Sequence, residues 1–487
     1  MKYSPVIGLE VHLQLKTASK IFCGCSTQFG APPNTQVCPV CLGFPGVLPV
    51  LNRQVLAFGI RVALALHCRI QPRILFHRKN YFYPDLPKGF QISQYDLPLG
   101  TDGFVELPMR KIRIHRAHLE EDAGKLIHST GYSLVDFNRT GVPLLEIVTE
   151  PDLTSAEEAT QYLKTLKGIL EYLEVSDCDM EKGSLRCDTN VSLKPVSGTG
   201  LRPEPDTPLG TKVEIKNLNS FKAVARSLGH EIQRQTKVLE GGGKVDQETR
   251  LWDDESGVTQ AMRSKEYAHD YRYFPEPDLV PFAVKADEVE TLRKNLPELP
   301  GERAQRFIRQ YQLPEADSKI LTGSRQTADY FEQCVKPVSG TGLRPEPDTW
   351  KALANWILGE LASRMNDRNL DATEDLRFSP SALVELVGLI ESGKISGKMA
   401  KEVFAESLDS GRSPGQIVQA KGLSQVTDRS ALEAAAGEVL KENPQAAADF
   451  KNGKQQALMF LVGQLMKRTK GAASPAISQE IIRKLLE

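Results

Sequence analysis

Between Leu9 and Leu15 apolar and polar residues alternate strictly: Leu9, Val11, Leu13 and Leu15 against Glu10, His12 and Gln14. A β-strand turns successive side chains to opposite faces, so this stretch has one oily face and one functional face. Two residues apart on the functional face, a carboxylate and an imidazole stand about 6–7 Å from each other. That is close enough to share a metal ion or a substrate. The pattern recurs. In 185–191, Leu185, Cys187 and Val191 oppose Arg186, Asp188 and Asn190; in 212–216, Val213 and Ile215 oppose Lys212, Glu214 and Lys216. Acidic runs at 118–125, with Glu120 and Glu121, and at 144–150, with Glu146, lie beside further apolar stretches. An antiparallel sheet can pack one face on a core and leave the other open. The sequence therefore predicts an open face on which carboxylates alternate with lysine and arginine. Such a mixture suits Mg²⁺ and a nucleotide phosphate together.

A chain of 487 residues exceeds what one core supports and is expected to form two or three domains. The formal net charge is −1, so a nucleic-acid partner must meet a local basic patch and not a global field. No apolar run approaches a membrane span. The N-terminus enters a strand at once, which argues against a secretory signal. Eight cysteines in a chain this long read as thiols of a reducing cytoplasm and not as a disulfide scaffold. Four of them cluster: Cys23 and Cys25, one residue between them, then Cys38 and Cys41, two residues between them. Two short loops presenting two thiolates each close a tetrahedral zinc site, and a full Cys₄ shell makes the metal structural.

The chain divides by pattern into 1–290, mixed strands and helices; 291–408, helical; and 409–487, a small helical tail. Helices are expected from Asn52 to about 67, from a capping box at Thr154-Ser155-Ala156-Glu157 to about 173, and from Phe221 to the glycines at 241–243. Further helices are expected over 350–365, 380–391, 398–407 and 430–442. Loops at 78–85 and 269–278 interleave basic and aromatic residues, Lys79 and Tyr81–Tyr83 among them, as a nucleotide or RNA end would require. The segment 453–471 is basic at both ends and apolar between; Lys454, Lys467, Arg468 and Lys470 are candidates for RNA phosphates. A peptide of fourteen residues, Lys194 to Thr207, recurs unchanged as Lys336 to Thr349. It leads into a strand once and a helix once, so it specifies neither. Its glycines and prolines predict an exposed inserted loop with no catalytic part.

Seven motifs, taken in order, resemble one family across nearly the whole chain: 6–12, 78–85, 118–125, 143–152, 183–188, 212–220 and 270–278. They are similar to those of the B subunit of the tRNA-dependent amidotransferases (the GatB family), which convert Glu-tRNA(Gln) or Asp-tRNA(Asn) to the amide. The resemblance implies an α+β fold: an antiparallel-sheet, glutamine-synthetase-like catalytic cradle, a helical domain, and an all-helical tail domain that grips tRNA. It implies a heterotrimer in which an A subunit, a glutaminase, sends ammonia through a tunnel, with a C subunit as third member. The chemistry implied is phosphorylation of the aminoacyl carboxylate by Mg-ATP, then displacement of phosphate by ammonia. On this reading Glu10, His12, Glu121, Glu146 and Asp188 are catalytic, and Glu10, His12, Glu120, Glu121, Glu146 and Asp188 hold Mg²⁺, directly or through water. Arg186, Lys212 and Lys216 follow from strand-face geometry as phosphate contacts, with Lys79 beside them.

Two other readings compete. A non-catalytic, zinc-containing RNA-binding protein gives no reason for carboxylates sharing one face of several strands. A ligase for a free amino acid has no use for the basic helical tail. The chain carries no P-loop, no His-Glu-x-x-His pair and no Ser-Lys amidase arrangement, so it is expected to depend on a partner for ammonia.

Overall fold

The computed structural model describes residues 3–196, 209–262, 271–336, 347–368, 378–423, 429–451, 454–469, 473 and 475–486. Most of both copies of the repeated peptide (197–207 and 337–346) lies outside them, as do Lys470 and the first two residues of the loop 269–278. The chain forms two compact units, Met1–Leu299 and Pro300–Glu487.

The first unit is built on a nine-stranded sheet. Its strands are β1 (Tyr3–Gln14), β2 (Arg69–Ile70), β3 (Gly100–Glu106), β4 (Lys111–Glu121), β5 (Pro143–Thr149), β6 (Leu185–Pro195), β7 (Val213–Lys216), β8 (Thr249–Asp253) and β9 (Val258–Ala261). They lie in the order β9-β8-β7-β6-β1-β5-β4-β3-β2. The alternation in β1 decides its orientation. Ile7, Leu9, Val11 and Leu13 are buried completely or nearly so, while Glu10, His12 and Gln14 are half-buried on the other face. Burying each such aliphatic side chain contributes about 1.5–3 kcal/mol, and a slip of one residue would exchange the two faces.

Helices Arg53–Ala65, Ala156–Tyr172 and Phe221–Glu240 share the core under this sheet. Asn52 caps the first as expected, its side chain accepting from Gln54 N at 2.9 Å. The second starts one residue later than the expected capping box. Ser155 caps it, accepting from Glu158 N, and Glu158 in turn accepts from Thr154 N. The third ends at Glu240, before Gly241. One departure from an all-antiparallel sheet is the pair β7–β8, which runs parallel. The helix Phe221–Glu240 lies between those two strands in sequence, and a helical crossover returns the chain in its starting direction.

The second unit is helical and holds two cores. One is centred on Phe307, Phe331, Leu353, Leu386 and Phe404, and it includes Ile417 of helix Pro414–Lys421. The other begins at Leu432 and gathers Leu461, Leu465 and Ile482. The described ends of the repeated peptide adopt the structure next to them: Lys194-Pro195 ends β6, and Pro347-Asp348-Thr349 opens helix Pro347–Trp356. Among the described residues no helix is long and apolar enough to cross a membrane.

Candidate functional site

Register assembles the functional side chains on the face of the sheet turned away from the core. His118, Glu120 and Glu146 are buried there and not open as the alternation predicts, with Ser93 of the strand Phe90–Ser93 donating to Glu120 at 3.2 Å. His12 sits opposite Arg186 on β6 and Glu146 on β5, and Glu146 sits opposite His118 on β4. Glu10 pairs in the same way with Asp188. His12 Nε2 lies 3.4 Å from Glu146 and 3.7 Å from Glu120. His118 Nε2 stands at 3.4 Å from Glu146 and 3.7 Å from Glu120. His12, Glu120 and Glu146 each offer one ligand atom within 4.8 Å of the others. An imidazole and two carboxylates converging at that spacing match the donor set of a divalent cation.

The electrostatics agree. Burial by itself favours a neutral His12 ring, but Glu146 and then Glu120 outweigh it and push its pKa up to about 9. Burial works against ionised Glu146 and Glu120 as well, yet His118, His12 and Lys79 hold both below the usual carboxylate range. Two buried carboxylates thus favour positive charge at this point, which a divalent cation would supply.

Around this cluster the remaining candidates separate. Glu10 lies in the next row, accepting from Asn190 Nδ2 at 3.0 Å; burial, then Glu146 and Glu214, raise its pKa. Asp188 is paired with Lys216 at 3.0 Å, and Lys216 also reaches Glu214 at 3.1 Å. Glu10 and Asp188 therefore line the open face without joining the converging trio. Arg186 is anchored by Asp122 at 3.0 Å, which also accepts from Gln14 at 2.8 Å. Lys212 is exposed and precedes β7. Lys79, on the strand His77–Asn80, lies 4.9 Å from the ring centre of Tyr271 and 5.8 Å from that of Tyr81. Burial disfavours its charge, but Glu120, Tyr273 and Glu146 keep its pKa raised.

Glu121 is a correction. Expected beside Glu120, it points to the opposite face, because neighbours in a strand must. There its carboxylate pairs with Lys88 and accepts from Ile92 N at 2.8 Å. Sequence reasoning misses His118 and Asp122 as site residues. His118 is findable, since it precedes Glu120 by the same two-residue step that links Glu10 to His12. Asp122 lies just past β4, where alternation gives no guidance.

The four cysteines form a second cluster. Cys23, Cys25, Cys38 and Cys41 each offer a sulfur within 4.8 Å of the other three. Cys38 Sγ and Cys41 Sγ lie 4.0 Å apart, and Cys38 N donates to Cys41 Sγ at 3.2 Å. Zinc–sulfur bonds of about 2.3 Å put tetrahedral sulfurs near this spacing, so the geometry fits a zinc ion. Gly43, with φ +70, closes the loop; a Cβ there would meet Lys88 Cγ at 2.2 Å.

In the tail, helix Gln455–Arg468 carries Lys467 and Arg468 and is preceded by Lys454, and two of these three already have partners. Lys454 pairs with Asp449 at 3.1 Å, and Arg468 pairs with Glu442 at 2.8 Å and with Glu438. Lys467 is exposed. The open basic surface expected there is thus reduced by acidic neighbours on the preceding helices.

Comparison with known proteins gives a consistent result. Residues 5–290 match the model of the GatB/GatE catalytic domain, and residues 329–486 match that of the GatB domain. The chain is 53% identical over 491 residues to the B subunit of the aspartyl/glutamyl-tRNA(Asn/Gln) amidotransferase from a Thermoanaerobacter species, covering 100% of both chains. It is 54% identical over 492 residues to the protein of the same name from Thermodesulfovibrio yellowstonii, again over 100% of both. For the Brevibacillus brevis protein the identity is 50% over 491 residues, covering 100% of this chain and 99% of the relative. Matches of this length and identity show that the chain belongs to the GatB/GatE family.

Proposed function

We propose that this chain is the B subunit of a tRNA-dependent amidotransferase, acting on Glu-tRNA(Gln), Asp-tRNA(Asn) or both, with partner A and C subunits in a heterotrimer. The convergence of His12, Glu120 and Glu146 on the functional face of the sheet is the observation that carries this reading. A carboxylate does not react with ammonia at a useful rate, because oxide is a poor leaving group. Attack of the aminoacyl carboxylate on the γ-phosphorus of ATP releases ADP and leaves an acyl phosphate. Ammonia then adds at the acyl carbon, phosphate departs as the C–O bond breaks, and the amide remains. Phosphoryl transfer depends on positioning and charge neutralisation more than on covalent work by the protein.

His12, Glu120 and Glu146 would hold Mg²⁺, with Glu10 and Asp188 in the adjoining row for a second ion or its waters. Magnesium there supplies charge neutralisation for the phosphates and orients the transferring group. Lys216, held by Asp188 and Glu214, and Lys79, beside the Tyr271 ring, provide cations, with Lys212 and Arg186 as further phosphate contacts. The four cysteines hold a structural zinc ion that shapes one edge of the cradle. Lys467, with Lys454 and Arg468 once their acidic partners yield, meets tRNA phosphates from the tail. This reading places the protein in the cytoplasm, where aminoacyl-tRNA and ATP are available. An RNA-binding protein without catalysis would leave the buried carboxylates unexplained.

The test is a reconstituted complex with A and C subunits, glutamine, ATP and each misacylated tRNA. His12→Ala and Glu146→Gln should abolish phosphate release that depends on misacylated tRNA, while glutamine hydrolysis partly persists. Unchanged phosphate release in both variants would place the phosphoryl-transfer centre elsewhere.

A further inference from the structure

Lys20 is completely buried beside the cysteine cluster. Its Nζ donates to Gln36 O at 2.8 Å and Phe137 O at 3.4 Å, and its third contact is Cys41 Sγ at 3.6 Å. Among the described residues no carboxylate forms an ion pair with it. Glu121 borders the same cavity but is engaged by Lys88. An ammonium ion removed from water needs a fixed countercharge, and two carbonyl dipoles are a weak substitute. Four thiolates around one divalent cation leave a net dianion, which has the opposite need. The amine of Lys20 meets that need directly, because it is held against one of the four sulfurs.

We propose that Lys20 is the built-in counter-cation of the tetracysteinate centre, a positioning residue that retains the metal by an N–H⁺···S contact to Cys41. The inference rests on the reading of the four cysteines as zinc ligands. Lys20 also ties the metal loop to its surroundings. Gln36 N donates to Asn138 Oδ1 at 2.8 Å, so the two carbonyl partners of Lys20 belong to segments already joined to each other. Metal loading and the order of this corner of the cradle are therefore coupled through one amine. The charge is what matters: a neutral side chain of similar length would keep the packing and lose the balance.

The full chain is tested with zinc and with cobalt as a spectroscopic substitute. Metal analysis of the wild-type chain comes first; about one zinc per chain is expected from a single Cys₄ site. Lys20→Met should release zinc to a chelator faster, by on the order of 10-fold, as expected for loss of an outer-shell partner. In the cobalt form it should move the sulfur-to-metal charge-transfer band to lower energy, because the Cys41 thiolate loses its hydrogen bond. Lys20→Arg should stay near wild type in both. A Cys41→His background removes one negative charge from the cluster, and there Lys20→Met should have a markedly smaller effect. Release at the wild-type rate with an unmoved band, or the same factor in both backgrounds, would overturn the proposal. Should Lys20→Met fail to fold, the double variant Lys20→Met/Cys41→His decides. A folded, zinc-bearing double variant supports the charge balance, and one that also fails to fold overturns it. A wild-type chain that binds no zinc would instead refute the reading of the cysteines, and this inference with it.

Discussion

Among the described residues, the two clusters of the first unit that could hold a metal ion are assembled by opposite means. The cysteines come from one short stretch, residues 23 to 41, and local turns bring their sulfurs together. The trio His12, Glu120 and Glu146 comes from three strands far apart in sequence, and only the pairing of β1 with β5 and of β5 with β4 brings them within reach. A local cluster is written in spacing, whereas a register-built cluster is written in which residue faces which. The first tolerates changes elsewhere in the sheet, and the second does not, because a slip of one residue moves every ligand to the core side.

The largest expected effect separates two neighbours. Glu120→Gln should reduce phosphate release by about 10²-fold or more, in line with loss of one group that stabilises developing charge. Glu121→Gln, one residue on but facing Lys88, should leave phosphoryl transfer within a few-fold and instead lower stability by about 1–3 kcal/mol. A steady-state assay and thermal unfolding of both variants check this; equal losses of activity would erase the distinction between faces.

Metal removal should divide the clusters next. Withdrawing Mg²⁺ should stop phosphate release reversibly and barely move the unfolding transition. Extracting zinc with a thiol reagent should lower that transition by roughly 5 °C, a ligand-linkage effect of a few kcal/mol. Calorimetry before and after each treatment distinguishes them. If zinc extraction leaves the transition unmoved, the cysteine cluster is not a structural site.

A buried charge outside both clusters serves as the reference for pH. Glu231 is fully buried; burial opposes its ionisation, but Arg234, Gln235 and Thr259 hold its pKa below the usual carboxylate value. A depressed folded-state pKa means the stabilisation is complete above the unfolded value of about 4.3 and fades as pH falls through the folded one. Denaturant midpoints below about pH 4.3 should therefore fall less steeply in Glu231→Gln than in the wild type. Parallel acid limbs would show that this network contributes nothing to acid sensitivity.

The smallest effects belong to the tail. Lys467→Ala should weaken tRNA binding a few-fold and reduce the dependence of log K on log salt by about 0.7–0.9, as for one lost phosphate contact. Arg468→Ala should do less, since Glu438 and Glu442 already neutralise it. Binding isotherms at several salt concentrations would show the order, and the reverse order would mean those ion pairs open in the complex.

Much of the architecture was legible because it depends on near neighbours. The alternation in β1 named its buried face, Asn52 and the glycines after residue 240 bounded two helices, and the cysteine spacing named a cluster. Where the structure departs from the sequence reading, the cause is a choice between adjacent residues. Ser155 takes the cap in place of Thr154, and Glu121 turns away from Glu120. The paired state of Lys454 and Arg468 was invisible, since their acidic partners lie on other segments.

By itself, then, the sequence determined the periodicities: which faces must be buried, where helices start and stop, and which thiols are close enough to gather. The tertiary structure alone decided which functional faces share a cup. Side-chain alternation records a direction relative to the strand but not the identity of the strand alongside. The partners of His12 on β5 and β6 were settled by the long-range pairing of a nine-stranded sheet, a choice made by the burial of the whole core at once.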